Sequence, residues 1–223
     1  MILDYSCSTD IGSDTLYQVN SFSHFSEGNY EGFYSYSDIL EKGDFGIGTF
    51  DQLNGEMVLL DGEAYRIEAN GDAIKVDDNE TAPVATFCHF DDDLVFEIQN
   101  LDLDMLKAEI DSRLPNLNLF YAVKIEGEFF SLLTRSIYPQ EEPYRKLEEV
   151  VKEEVRRESS NVRGTIVGFR APAHIEQPLW KSYHMHFISG DYSFGGHVHN
   201  ATVGKVTVTV DIISDLQLIL NKG

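Results

Sequence analysis

Apolar residues along most of the chain stand in short runs or alternate with polar residues, which predicts β-strands. The strand-like runs cover residues 45–50, 57–60, 64–67, 84–90, 94–98, 164–170, 183–188 and 206–212. Asp61-Gly62 separates two of these runs and predicts a tight hairpin turn. A second hairpin is predicted from the runs 120–125 and 129–134, with Glu126-Gly127 as its turn.

Helical periodicity occurs in two segments only. The first predicts a short helix that ends near Pro115, with its apolar stripe at Leu103, Leu106, Ile110 and Leu114. The second predicts a charged helix that opens at Pro143, with its apolar stripe at Leu147, Val150, Val151 and Val155. Because this second helix carries many Glu and Arg residues, we interpret it as a solvent-exposed layer over a sheet. The pattern as a whole predicts a β-dominated α+β fold with a few short helices.

Composition narrows the class of protein. The 223 residues are 42% apolar and 12% aromatic, which is enough for a packed core and excludes a disordered chain. No apolar run reaches the length of about 18 residues that a membrane-spanning segment needs. Met1 to Asp10 lacks the basic and apolar regions of a secretory signal, so we expect a cytoplasmic protein.

The charge balance is strongly acidic. With 17 basic and 38 acidic residues the net charge is −21, so nucleic acids and membranes are not expected as partners. An anionic substrate would then need a local positive centre, such as a metal ion or an arginine. The two cysteines, Cys7 and Cys88, are too few for a cysteine-based zinc site, and their spacing leaves a disulfide open.

Four of the seven histidines fall between residues 184 and 199. His184 and His186 are two residues apart in a strand-like run, so their side chains would share one face of the strand. Glycines follow at positions 190, 195 and 196, so the chain can turn back and bring His197 to the same place. Three imidazoles leave a coordination position open, as in catalytic metal sites.

The ligand type indicates which metal ions suit this cluster, and other interpretations of the histidines stay open. Zinc is our first choice for an all-imidazole site, and nickel, cobalt or iron remain open. His199 could be a further ligand or a residue behind the site. The competing interpretation is a polar strand face whose histidines pair with carboxylates. His24, His89 and His174 have no comparable neighbours and are interpreted as structural.

Several short motifs follow one another along the chain. In the C-terminal half these are Gly164-Thr-Ile-Val-Gly-Phe-Arg-Ala-Pro172, Tyr183-His-Met-His-Phe-Ile188 and Gly195-Gly-His-Val198. Upstream they are Gly46-Ile-Gly-Thr-Phe-Asp51, Asn54-Gly-Glu-Met57, Leu60-Asp-Gly-Glu-Ala-Tyr-Arg66, Thr134-Arg-Ser-Ile-Tyr-Pro-Gln140 and Pro143-Tyr144. Together these motifs resemble those of the alpha-acetolactate decarboxylase family, and the matches run in order from about residue 16 to residue 210.

The resemblance implies decarboxylation of 2-acetolactate, a small anionic 2-hydroxy-3-keto acid, to (R)-acetoin and CO2 on the route to butanediol. It implies a Zn²⁺ ion, or another divalent transition metal, on His184, His186 and His197. It also implies active-site roles for Glu56 and Arg135. A guanidinium suits the substrate carboxylate, and a carboxyl near the metal can deliver a proton. The resemblance further implies a homodimer.

The resemblance also implies two β-sheet domains. We expect a loose N-terminus at 1–14, an N-terminal β-rich domain at 15–140, and a C-terminal β-rich domain at 141–223 that carries the metal site. The fold prediction is therefore two mixed β-sheet domains with a few short helices.

Two departures from the family pattern keep alternatives open. Val198-His199-Asn200 follows the last motif, where the family has a nonpolar or acidic stretch. No residue aligns with the second glutamate that the family's C-terminal tail returns to the metal, so another carboxylate replaces it or the activity is altered. The alternatives are a related metal enzyme acting on another 2-hydroxy-3-keto acid, and a non-catalytic metal-binding module with a closed site.

Overall fold

Strands dominate the structure, a computed structural model that describes residues 14–77, 79–175 and 182–222. In chain order they are β1 (Thr15–Val19), β2 (Tyr34–Ser35), β3 (Phe45–Gly48), β4 (Glu56–Leu60), β5 (Glu63–Ile67), β6 (Ala73–Lys75), β7 (Thr81–Ala82), β8 (Ala85–Cys88), β9 (Leu94–Asp102), β10 (Phe120–Ser136), β11 (Val155–Arg170), β12 (Tyr183–Ser189), β13 (Gly195–Ile213) and β14 (Asp215–Ile219). The predicted β-dominated α+β fold is confirmed. The expected loose N-terminus, 1–14, lies outside the described residues except for Asp14.

The first sheet has seven strands in the order β14-β1-β8-β3-β4-β5-β6. The pair β1–β14 is parallel and the other pairs are antiparallel, so the sheet is mixed. Asp61 and Gly62 connect β4 to β5, with φ of 52° and 76°. Two consecutive positive φ values are typical of the type I′ two-residue hairpin turn, so the turn predicted here is confirmed.

The second sheet has the order β10-β11-β12-β13-β9, and β13 also pairs with β10, so the sheet closes on itself. The predicted hairpin at Glu126-Gly127 is wrong, because β10 runs unbroken from Phe120 to Ser136. Both edges of β10 are paired, one with β11 and one with β13, and this pairing keeps the strand extended. Gly127, at φ 148°, lies at a register shift in the ladder with β13 instead of in a turn.

The helices are α1 (Phe22–Ser26), α2 (Tyr36–Leu40), α3 (Leu103–Arg113) and α4 (Leu147–Val150). The first predicted helix is confirmed as α3, which buries Leu103, Leu106 and Ile110 and is capped by the side chain of Asp102. Helices α1 and α2 were not predicted, because five residues are too few to show a periodicity. None of the helices in the described part of the chain combines the length and apolarity needed to cross a bilayer.

The second predicted helix is mostly wrong. Only Leu147–Val150 is α-helical, a single 3-10 turn follows at Val151–Glu153, and Val155 already begins β11. The four apolar positions that predicted one helix are instead divided among three elements, namely α4, the 3-10 turn and β11. Val150 is fully buried, so the segment is not simply a solvent-exposed layer.

The two large sheets share a core. Phe45, Ile47 and Val58 of the first sheet belong to one buried cluster with Phe169 and Ile188 of the second. The chain changes sheet between Cys88 and Leu94 and returns to the first sheet with β14. A domain division at residue 140 stays a prediction.

Candidate metal centre and active-site pocket

Three imidazoles meet where β12 and β13 run side by side. His184 and His186 lie on one face of β12, and His197 is the direct partner of His186 in the antiparallel ladder. One ring nitrogen from each residue lies within 4.8 Å of the other two, and His184 Nε2 is 3.0 Å from His197 Nδ1. His184 and His186 are buried. The cluster expected from the spacing is therefore present.

Glycines allow β13 to approach its neighbours at this point. A Cβ on Gly195 would lie 2.2 Å from the carbonyl oxygen of Phe187 on β12. A Cβ on Gly196 would lie 2.7 Å from the carbonyl oxygen of Arg135 on β10, and its φ of 143° also favours glycine. His197 thus follows two residues whose lack of a side chain lets three strands converge.

The imidazoles are neutral. Burial, followed by the nearby charges, lowers the pKa of His184 and His197 well below the ordinary value. Burial also lowers the pKa of His186 to about 3. His186 Nδ1 lies 2.7 Å from the Met57 carbonyl oxygen, so Nδ1 carries the proton and Nε2 keeps its lone pair.

This donor set fits a divalent cation. His186 Nε2 is buried and makes no hydrogen bond within the described ranges, and it lies 3.4 Å from Glu56 Oε2. A nitrogen lone pair facing a carboxyl oxygen is favourable only when a positive charge or a proton lies between them. The hydrogen bond from Nδ1 to a backbone carbonyl also matches the way proteins orient metal-binding histidines.

An arginine and a glutamate lie beside the imidazoles. Arg135 on β10 is the ladder partner of His197, and Glu56 is the first residue of β4 in the other sheet. Arg135 Nη1 donates a hydrogen bond to Glu56 Oε1. Burial raises the pKa of Glu56 to about 7, although Arg135 acts in the opposite direction. The carboxyl can therefore be protonated or ionised near neutral pH.

A pocket opens onto these groups. Its polar and charged lining residues are Thr49, Glu56, Arg135 and His184. Its apolar lining residues are Phe25, Leu53, Val84, Ile137 and Leu147. Such a pocket suits a small ligand with a charged end and short alkyl groups.

A further carboxylate lies behind Arg135. Glu154 Oε2 is 3.4 Å from Arg135 Nε, and the Glu154 side chain is only 8% exposed. Its Oε1 accepts hydrogen bonds from Arg156 Nε at 2.7 Å and from His199 Nε2 at 2.9 Å. His199 thus pairs with a carboxylate and does not belong to the trio of imidazoles.

Comparison with known proteins identifies the family. The family model for alpha-acetolactate decarboxylase matches residues 16–223. The chain belongs to the alpha-acetolactate decarboxylase family. Two curated members illustrate the similarity. The alpha-acetolactate decarboxylase of Methanosarcina mazei is 42% identical over 203 residues, which are 91% of this chain and 70% of that protein. That of Bacillus subtilis is 39% identical over 196 residues, which are 87% of this chain and 77% of the relative.

The fold agrees with solved members of the family. The crystal structure of alpha-acetolactate decarboxylase from Bacillus subtilis superposes with a TM-score of 0.91 at 38% identity. The match covers 94% of this chain and 90% of that one. The expected family membership is therefore confirmed.

Sequence reasoning missed two parts of this alpha-acetolactate decarboxylase-family site. Glu154 was counted with the charged residues of a predicted helix, and nothing in the run of glutamates marks it out. Several apolar residues of the pocket lie on α1, α4 and the 3-10 turn Asp51–Leu53. These elements are too short to show a periodicity in the sequence.

Proposed function

We propose that this chain decarboxylates 2-acetolactate to (R)-acetoin and CO2, with a divalent transition metal, zinc in the first instance, on His184, His186 and His197. One observation carries the proposal: three neutral imidazoles converge beside a buried Arg135–Glu56 pair, and His184 lines a small pocket together with that pair. The relatives named for this activity support the choice of substrate.

The chemistry defines what the site must do. When CO2 leaves, the bonding electron pair moves toward the neighbouring ketone and gives an enediolate. A cation held by the three imidazoles would supply Lewis-acid stabilisation of the negative charge that develops there.

Arg135 binds the substrate carboxylate. Its guanidinium stays charged at all relevant pH values and can donate to two oxygens at once. The Arg135 side chain is 13% exposed, so its attraction for an anion is weakly screened by water. It thus provides the local positive centre that a chain of net charge −21 requires.

Glu56 delivers the proton to the enediolate carbon. Its carboxyl is buried and lines the pocket, where a proton can be held near neutral pH. Because Glu56 reaches the site from one side, on β4, protonation takes place on one face and yields a single enantiomer of acetoin. The apolar residues of the pocket receive the substrate's methyl groups and exclude water, which would compete as a proton source.

A colorimetric acetoin assay on the purified protein tests the proposal. Protein stripped with a chelator should be inactive, and one equivalent of zinc, cobalt or nickel should restore acetoin formation. The enantiomer is read by chiral chromatography. A protein that binds metal stoichiometrically but releases no CO2 from acetolactate would contradict the assignment. Cytoplasmic location and a homodimer stay predictions.

A further inference from the structure

We propose that Glu154 is a positioning residue, whose carboxylate holds the Arg135 guanidinium in the orientation that substrate binding needs. This inference rests on the function proposed above. Glu154 does not line the pocket, so it acts through Arg135 and touches neither substrate nor metal.

The Arg135 guanidinium lies between two carboxylates. Nη1 donates to Glu56 on the pocket side, and Nε faces Glu154 Oε2 at 3.4 Å on the other side. Nε is buried and makes no hydrogen bond among the residues that the structure describes. The charge of Glu154 therefore compensates the burial of this Nε–H group. It also fixes the plane of the guanidinium, so that the Nη atoms are directed toward the pocket.

Glu154 is itself held from two sides. It is the extended residue between the 3-10 turn and β11, and its side chain is turned inward. The hydrogen bonds from Arg156 and His199 both go to Oε1, so that Oε2 remains for Arg135. Although burial opposes ionisation, these hydrogen bonds together lower the pKa of Glu154 below its ordinary value. The carboxylate is therefore charged and in a defined rotamer.

The register of the sheet explains why a carboxylate is needed here. Arg135 on β10 and Arg156 on β11 are direct ladder partners, so two positive charges stand opposite each other. Like charges in directly opposed positions repel and would push the two guanidinium groups apart. Glu154 pairs with both groups and offsets this repulsion. Without it, Arg135 would have to leave the position from which it reaches the substrate carboxylate.

Glu154→Gln tests the inference because it keeps the shape of the side chain and removes its charge. We expect KM for acetolactate to rise roughly tenfold, with a smaller change in kcat, because a misplaced guanidinium binds the carboxylate less well. Bound zinc per chain should be unchanged. Glu154→Asp, which keeps the charge but shortens the reach, should recover part of the loss. Glu153→Gln is the matched control, since Glu153 is exposed and pairs with Arg145 away from the pocket.

A double-mutant cycle separates positioning from a general structural effect. In an Arg135→Lys background, Glu154→Gln should change KM by less than about twofold, because the group that Glu154 positions is no longer there. Equal effects of Glu154→Gln in both backgrounds would overturn the inference. So would unchanged KM and kcat in the single variant.

Nitrogen NMR provides a readout that does not depend on turnover. The Arg135 Nε–H signal, assigned by its loss in Arg135→Lys, should shift and exchange faster with water in Glu154→Gln. An identical signal in the two proteins would overturn the inference. A wild-type protein without decarboxylase activity would instead count against the proposed function, and the NMR comparison would still decide whether Glu154 holds Arg135.

Discussion

Arg135 and His197 are direct partners in the antiparallel ladder between β10 and β13. His197 is in turn the ladder partner of His186 on β12. The residue proposed to bind the substrate carboxylate and two of the proposed metal ligands are thus held by one row of backbone hydrogen bonds. The spacing of these three side chains is consequently set by strand pairing rather than by flexible loops.

Replacing Gly196 tests this dependence on strand pairing. Gly196→Ala would place a Cβ 2.7 Å from the Arg135 carbonyl oxygen, at a φ of 143° that alanine adopts poorly. We expect a loss of about 2–4 kcal/mol in the free energy of unfolding and weaker zinc binding. Urea denaturation and metal analysis measure both. Gly190→Ala, whose Cβ would lie 3.6 Å from the nearest atom, is the control, and equal losses in the two variants would contradict the argument.

Arg135→Lys tests the role of the guanidinium while keeping the positive charge. Lysine cannot donate two parallel hydrogen bonds to a carboxylate, so we expect kcat/KM for acetolactate to fall by roughly 100-fold. Steady-state kinetics measure the change. Arg163→Lys alters an exposed pair with Glu128 and should leave the kinetics unchanged. An Arg135→Lys enzyme with the wild-type kcat/KM would remove the guanidinium from the mechanism.

The strands and the trio of histidines could be predicted because each leaves a local mark in the sequence. His184 and His186 share a face by their spacing alone, and Asp61-Gly62 has the two positive φ values that its dipeptide indicates. Glu126-Gly127 carries a similar turn signal, yet it lies in the middle of a continuous strand. The difference is tertiary: both edges of β10 are paired, and no local pattern records that.

Contacts between distant segments account for what the sequence could not predict. Glu56 and Arg135 are 79 positions apart and meet because the two sheets pack together. Their roles came from the family resemblance and not from their spacing. Glu154 could not be recognised, because only the fold turns this one glutamate inward while its neighbour Glu153 is exposed.

Removal of the metal should lower the thermal stability of the wild-type protein. A ligand at about 100 times its dissociation constant stabilises the folded state by about 2.7 kcal/mol, which for a chain of this size raises Tm by roughly 5–10 °C. We therefore expect a Tm difference of that order between zinc-loaded and chelator-treated protein. In His186→Ala this difference should vanish, whatever the cost of the substitution itself.

His89→Ala is the matched control for the metal experiment. His89 is half exposed and lies 3.6 Å from Asp44, away from the trio of imidazoles. The Tm difference between zinc-loaded and chelator-treated His89→Ala protein should equal that of the wild type. A full zinc-dependent shift in His186→Ala would exclude this histidine as a ligand.

Asp211 predicts a pH dependence that is separate from the metal centre. Its side chain is buried on β13, and its Oδ1 makes no hydrogen bond in the part of the chain that is described. Burial raises the pKa of Asp211 to about 8, and the negative charges of Asp93, Asp91 and Asp14 act in the same direction. In the unfolded chain the pKa is about 4.

Between these two values the folded state binds a proton that the unfolded state releases. The contribution of Asp211 to the free energy of unfolding is therefore fully present below about pH 4, and it is lost as the pH rises toward 8. Asp211→Asn removes the titrating group and keeps the side-chain volume. Relative to wild type, we expect Asp211→Asn to be roughly 3–4 kcal/mol more stable at pH 8 than at pH 5, measured by urea denaturation. Asp215→Asn, at an exposed position on β14, should follow the wild-type curve. If the wild-type and Asp211→Asn curves run parallel from pH 5 to pH 8, Asp211 is not the buried group that titrates.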